Sequence, residues 1–305
     1  MAQDKRVIFI GSCSFSGSTI LDLILGRIED SISMGEVGRI YLPRKKEHFE
    51  RECGCMQDGC NYWDSVLSGS PKGLHLRAFQ EFGVSTLIDS TKDPHWIKDR
   101  GDELKKAGVE VINLLIWKTP TAIRNSFAKR GKEGAWRRSW KNYHMLYFSL
   151  IHEFYSVPFY SLLRGDDEFV GRLKRIGIED YNLNYWEYPG HTLFGNDSAK
   201  RHLHEEGSEE FQRLQERRGN SISGAEDSFS HREIRDEGGV EQVQEDKMVS
   251  EIHDFLNQND VKLRKNGKSA PPKKGLQLSN FSSSMRRYYE ISKSIKPYFL
   301  WGISN

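Results

Sequence analysis

Residues 6–25 read RVIFIGSCSFSGSTILDLIL, and the fold turns on them. "RVIFIG" (6–11) is a short apolar run closed by glycine, which predicts a buried strand. From 18 to 28 the apolar residues Ile20, Leu21, Ile24, Leu25 and Ile28 recur three and four apart, which predicts an amphipathic helix. Between the two lies "SCSFSG" (12–17), a turn of small hydroxylated residues ending in glycine. A strand, a glycine-containing turn and a helix in immediate succession make a cradle for an oxyanion. Glycine lets the backbone approach, the first-turn amides point outward, and the helix dipole favours negative charge.

Ser12 and Gly17 bracket four residues and Ser18-Thr19 follow, which is the spacing of the Walker A loop G-x-x-x-x-G-K-[ST]. Ser18 stands where that motif has lysine. The lysine reaches the β- and γ-phosphates of a triphosphate. Without it, the loop suits a single phosphate-sized anion better than a magnesium-bound triphosphate. The Ser18 and Thr19 hydroxyls can donate to such an anion. A serine-rich turn that only caps a helix would read the same way.

Further strands are predicted at "STLIDS" (85–90), "VEVINLLIW" (109–117) and "VPFYSLL" (157–163), and helices at 94–107, 120–130 and 134–155. Alternating strands and helices predict an α/β fold, a parallel central sheet covered by helices, with its ligand at the carboxyl ends of the strands. Residues 1–201 read as the core, with a cysteine-containing insertion over about 40–75. Residues 202–263 are charged and poor in aromatics, a lid or variable part of the same domain. Residues 264–305 are a basic linker and an aromatic tail, which would dock on the domain or else lie on a membrane surface or a partner.

The 305 residues carry 45 basic and 43 acidic side chains, a near balance that argues against nucleic acid as a partner. Four cysteines are too few for a disulfide scaffold. No run approaches the roughly 18 apolar residues of a membrane span. "MAQDKRVIFIG" (1–11) has no signal-type apolar region, so a reducing cytoplasm is expected.

At its two sharpest motifs the sequence resembles the sulfotransferases that use 3′-phosphoadenosine-5′-phosphosulfate (PAPS). Their 5′-phosphosulfate loop reads basic-S-G-[ST]-T before an apolar helix. "FSGSTILDLIL" (15–25) is similar to it and departs at Phe15, where the family has lysine or arginine. Their 3′-phosphate site follows a strand and reads R-[DN]-P with a serine eight residues after the arginine. In "LLIWKTPTAIRNSFAKRG" (114–131) Lys118 falls on the arginine, Pro120 is in place and Ser126 lies eight residues on. Lysine keeps the charge but not the bidentate fork. "LIDSTKDPHW" (87–96) and "HTLFGNDSAKR" (191–201) are similar to later segments of bacterial members. The resemblance covers residues 6–201.

The resemblance implies a P-loop NTPase-like three-layer sandwich with PAPS as co-substrate and no metal required for transfer. Ser14, Phe15, Ser16, Gly17, Ser18 and Thr19 would surround the 5′-phosphosulfate, and Lys118 and Ser126 the 3′-phosphate. Asn196 and Arg201 would complete the nucleotide site. Glu36, in "SISMGEVGRI" (31–40), would be the general base, and Lys92 the cation on the leaving phosphate. The donor has no γ-phosphate, so no Walker lysine is needed. The acceptor would be a hydroxyl or amine of a small molecule, sugar, lipid or peptide. Two other readings stay open: a degenerate P-loop kinase, and a PAPS-binding protein without turnover, of which Phe15 would be the sign.

"CGCMQDGCNYW" (53–63) sets Cys53, Cys55 and Cys60 at C-x-C-x4-C. With His48 or Cys13 as a fourth ligand they are candidates for zinc, although structural zinc usually comes with C-x-x-C pairs. Reduced thiols in an insertion anchored by Tyr62 and Trp63 is the reading the spacing favours, and a disulfide pair is a third. His95, His144 and His152 read as core or surface residues. Trp136, Trp140, Tyr143, Tyr147 and Phe148 read as packing.

Overall fold

The computed structural model describes residues 5–43, 53–55, 59–179, 181, 183, 190–195, 207–209, 212 and 247–265. Strands β1 (Arg6–Gly11), β2 (Ser31–Gly35), β3 (Thr86–Asp89), β4 (Glu110–Trp117) and β5 (Tyr155–Pro158) form one sheet in the order β2-β3-β1-β4-β5. All four pairings are parallel. From β1 the chain leaves past β3 to β2, and from β3 it returns past β1 to β4. Strand order therefore reverses around β1, whose carboxyl end carries the glycine-serine turn. That is where an open parallel sheet binds ligand.

Side chains alternate along each strand, so consecutive residues build opposite layers. Ile8 and Ile10 of β1, Ile88 of β3 and Leu114 and Ile116 of β4 pack with Leu21, Ile24 and Leu25 of α1 (Ser18–Leu25). Helices α7 (Phe159–Arg164) and α8 (Asp167–Arg175) join this layer through Leu162, Phe169 and Leu173. Val7 and Phe9, Leu87, Leu115 and Trp117 face the other way. They meet α3 (Leu74–Phe82), α4 (Pro94–Lys106), α5 (Pro120–Ala128) and α6 (Trp136–Leu150). A short helix, α2 (Asp64–Leu67), adds Val66 and Leu67 to that layer. The expected helix-covered parallel sheet is what the chain forms.

Several element boundaries differ from expectation, each for a local reason. Strand β2 is not among the strands predicted from sequence, because its five residues SISMG make too short and serine-rich a run. Ser33 is nonetheless buried and donates to Asp22 Oδ2 at 2.7 Å. The apolar run 157–163 is not one strand. It splits at Pro158, which ends β5 and sits at the N-cap of α7. Proline has no N–H to continue a ladder but is tolerated where a helix opens. The aromatic helix expected over 134–155 runs from Trp136 to Leu150, because Ile151 turns extended.

The charged region from 202 and the tail fall mostly outside the described residues. Helix α9 (Lys247–Lys265) is an exception, with Val249, Ile252, Phe255 and Leu256 buried in the layer of α6. Ser156 of β5 donates to the Leu256 carbonyl at 3.3 Å, and the Trp117 ring stands edge-on to His253 at 5.6 Å. Among the described residues no helix is long and apolar enough to cross a membrane.

Helix α6 presses on the end of β1. A Cβ at Gly11 would lie 2.3 Å from the Tyr147 ring and 3.0 Å from the Tyr143 hydroxyl, so only glycine admits this approach. Gly11→Ala should cost about 1–3 kcal/mol in urea unfolding, the range for overpacking. Gly11→Ala/Tyr147→Leu should cost less than the sum of the single changes, because the smaller side chain relieves the clash. Strict additivity would mean that Tyr147 does not define the strand end.

Candidate active site at the carboxyl edge of the sheet

Each of the first four strands ends by delivering a functional residue to the same edge. After β1 comes the loop 12–17. Phe15 and Gly17 both take left-handed backbone angles, φ 68° and 95°. Gly17 is the N-cap of α1, and no side chain caps that helix, which leaves its opening turn to the backbone. The Ser12 and Ser16 hydroxyls are buried and lack a hydrogen-bond partner. Buried hydroxyls are normally satisfied, so this pair suits an anion accepting from both. Ser18 and Thr19 are buried in the first turn, whereas Ser14 is exposed.

Beside this loop, β4 ends at Trp117 and the next residue is Lys118. Its ammonium donates to Ser126 Oγ of α5 at 3.1 Å, so the two residues expected to share a phosphate are adjacent. Ser126 in turn donates to the Ala122 carbonyl at 2.9 Å. Two aromatic contacts join this pair to the loop. A Cβ at Gly17 would lie 2.2 Å from the Phe159 ring, and Lys118 Nζ sits 4.2 Å from the centroid of the same ring. On the other flank the Phe15 ring packs edge-on to Phe127 at 5.0 Å. The exposed Arg130 guanidinium lies 4.2 Å from the Phe15 centroid, while Arg130 Nη1 donates to the Ser126 carbonyl at 2.7 Å. Positive charge therefore stands over the loop position at which the sequence itself carries phenylalanine.

Strands β2 and β3 supply the third component. Glu36 follows β2 directly, and its Oε1 is ion-paired with Lys92 Nζ. Its Oε2 accepts from Arg39 Nε at 3.1 Å. The side chains of Glu36, Lys92 and Arg39 are only 13%, 17% and 6% exposed. Burial works against a charged Glu36, but Lys92 and Arg39 overcome it and hold the carboxyl down to about 2. Lys92 stands in the left-handed region at φ 67°, in a turn fixed from three sides. Asp89 Oδ1 accepts from the Thr91 amide at 2.8 Å, and Asp89 Oδ2 accepts from Trp96 Nε1 at 2.8 Å and meets His75 Nε2 at 3.0 Å. Arg39 Nη2 donates to the Thr91 carbonyl at 3.2 Å, and the Tyr143 hydroxyl to the Lys92 carbonyl at 2.8 Å.

The structure thus gathers Phe15, Ser16, Gly17, Ser18, Thr19, Lys118 and Ser126 in one group, and Glu36 with Lys92 in a second at the same edge. Asn196 and Arg201 lie outside the described residues. Arg39 and Arg130 are not among the residues singled out from sequence, and Tyr143, read there as packing, also holds the Lys92 turn. Only the arginines gave a signal, as cations one helical turn from Glu36 and Ser126 respectively.

The cysteine cluster is arranged differently from expectation. Cys53, Cys55, Cys60 and His191 lie together, with ligand atoms all within 4.8 Å of one another. Cys13, expected as one candidate for the fourth ligand, is instead a buried core residue, whose thiol burial pushes up to about 12. His48, the other, lies outside the described residues.

No family model matches the chain, and no curated protein matches it in sequence. Among solved structures, the sulfotransferase domain of the olefin synthase from Synechococcus PCC 7002 is similar over 87% of this chain and 96% of that domain. The identity is 12% and the TM-score 0.39. At that distance nothing about the chemistry of this chain follows from the neighbour, and its own residues carry the functional reading.

Because Glu36 is ionised more easily in the folded protein than in the unfolded chain, its charge stabilises the fold at neutral pH. That contribution is complete above the ordinary value of 4.5 and drains as pH falls toward about 2. Glu36→Gln should therefore flatten the acid limb of melting temperature against pH within that window. An unchanged limb would show that the Lys92 and Arg39 contacts do not hold the carboxylate.

Proposed function

We propose that this chain is a sulfotransferase, which moves a sulfuryl group from PAPS to an acceptor hydroxyl. The observation that carries this reading is the junction of two anion stations at one sheet edge. The loop with its unpartnered buried Ser12 and Ser16 hydroxyls adjoins the Lys118–Ser126 pair through Phe159. One loop without a Walker lysine and one separate cation–hydroxyl pair suit a ligand with a phosphate at each end of a nucleoside. They suit a magnesium triphosphate less well.

In this reading the loop residues hold the 5′-phosphosulfate and Lys118 with Ser126 the 3′-phosphate. The acceptor oxygen forms a bond to sulfur as the bond from sulfur to the 5′-phosphate oxygen breaks. The electron pair stays on the phosphate, and the acceptor proton passes to Glu36. A loose transition state of this kind asks the protein mainly for alignment and charge stabilisation. Glu36 gripped by two cations is a poor base. Lys92 exchanges Glu36 for the leaving phosphate when donor binds, which relieves that grip and raises the basicity of the carboxylate as the acceptor is aligned. Arg130 supplies the positive charge that Phe15 lacks. The packing of Phe15 against Phe127 also favours a second reading, in which the chain binds PAPS without turning it over.

Lys118→Ala and Ser126→Ala should each weaken PAPS by about ten- to a hundredfold, the worth of a hydrogen bond to a charged group. Neither should change affinity for the analogue lacking the 3′-phosphate. Equal losses for both ligands would remove these residues from the 3′ site. Glu36→Gln should abolish transfer across an acceptor panel while PAPS affinity stays nearly intact. Wild-type turnover in that variant would remove Glu36 from the mechanism, and binding without turnover in the unaltered protein would favour the second reading.

A further inference from the structure

We infer that Cys53, Cys55, Cys60 and His191 hold one structural zinc ion, and that this ion ties the insertion to the backbone carrying Glu36. Three thiols and an imidazole form a complete tetrahedral donor set. Thiolate and imidazole donors suit zinc and leave no position for water or substrate, as in closed structural sites. The spacing agrees. His191 Nδ1 lies 3.4 Å from Cys53 Sγ and 3.4 Å from Cys60 Sγ. A tetrahedral zinc with bonds of about 2.3 Å to sulfur and about 2.0 Å to nitrogen holds those atoms about 3.5 Å apart.

The surroundings are built to keep the four together. Cys53 forms an antiparallel bridge with Leu193, and the Gly54 amide donates to the Thr192 carbonyl at 2.8 Å. A Cβ at Gly54 would stand 2.9 Å from the Thr192 carbonyl oxygen and 3.0 Å from that of Gly190, so the C-x-C turn closes on this segment because its middle residue is glycine. Tyr62 stacks on the imidazole at 3.9 Å with an interplanar angle of 5°, and the Trp63 indole donates to the His191 carbonyl. These contacts fix the ring with Nδ1 toward the thiols. Such support around a metal-ligating histidine orients it for the ion.

The clamp reaches the candidate active site through the backbone. Leu193, two residues after His191, accepts the Glu36 amide at 2.8 Å. Thr192 Oγ1 donates to Ser33 Oγ at 2.9 Å. A Cβ at Gly35 would fall 2.0 Å from the Leu193 oxygen, so this contact is intimate. The four ligands are therefore positioning residues for Glu36. The inference does not rest on sulfuryl transfer, because metal content is read without any substrate.

The test is metal analysis of the full-length protein purified under reducing conditions with equimolar zinc, and again with cobalt. One ion per chain is expected, and the cobalt form should show thiolate charge-transfer bands with the visible spectrum of a tetrahedral ion. Cys53→Ser/Cys60→Ser should lose the ion. His191→Cys should keep it with a shifted cobalt spectrum, which guards against loss by misfolding. Removing zinc with a chelator should speed hydrogen exchange at the Glu36 amide at least tenfold. Folded wild-type protein that takes up neither metal, or that carries a disulfide among these cysteines under reduction, would overturn the site. So would a double variant that still binds one ion. Unchanged exchange at Glu36 would overturn the positioning role.

Discussion

A parallel sheet covered on both faces has one place for polar chemistry, the edge where its strands end. Here β1 pairs in parallel with β3 on one side and β4 on the other, from Arg6 opposite Thr86 and Glu110 onward. That register brings the turn after Gly11, the turn after Asp89 and the turn after Trp117 to one edge, and β2 adds Glu36. Apolar layers above and below fill the rest of the sheet. Residues more than a hundred positions apart in sequence meet because the strands leave them nowhere else to go.

The charges at this edge are linked. Lys92 and Arg39 compete with burial for control of Glu36 and prevail, so the resting site holds a quiet carboxylate rather than a strong base. A nearby anion that attracts Lys92 would change that balance and make the carboxylate more basic. The loop itself lacks a charged side chain at Phe15, and Arg130 approaches from the end of α5 to lie over its ring.

The core of the fold was legible because its signals are local. β1, the turn and α1 announce themselves by an apolar run, a glycine and a helical period within twenty residues. β3, β4, α4 and α5 follow the same logic, with Asp93 and Thr119 capping helices that begin at proline. The eight-residue step from Lys118 to Ser126 is likewise local, since both flank one helix start. What could not be read depends on tertiary pairing. β2 is short and half serine, and its burial is decided by Asp22 and Thr192. The Glu36–Lys92 pair spans 56 residues and His191 lies 131 residues after Cys60, and neither distance carries a pattern. The C-x-C-x4-C spacing read as packed thiols because it lacks the usual C-x-x-C pair, and nothing in the sequence sets His191 beside it.

The central claim is that two anion stations at one sheet edge serve a single adenosine bisphosphate. Isothermal titration of the full-length protein with adenosine 3′,5′-bisphosphate in magnesium-free buffer tests it most directly. Saturable binding of one molecule per chain without magnesium is the predicted result. Failure to bind that ligand, with tight binding of ATP that requires magnesium, would contradict it.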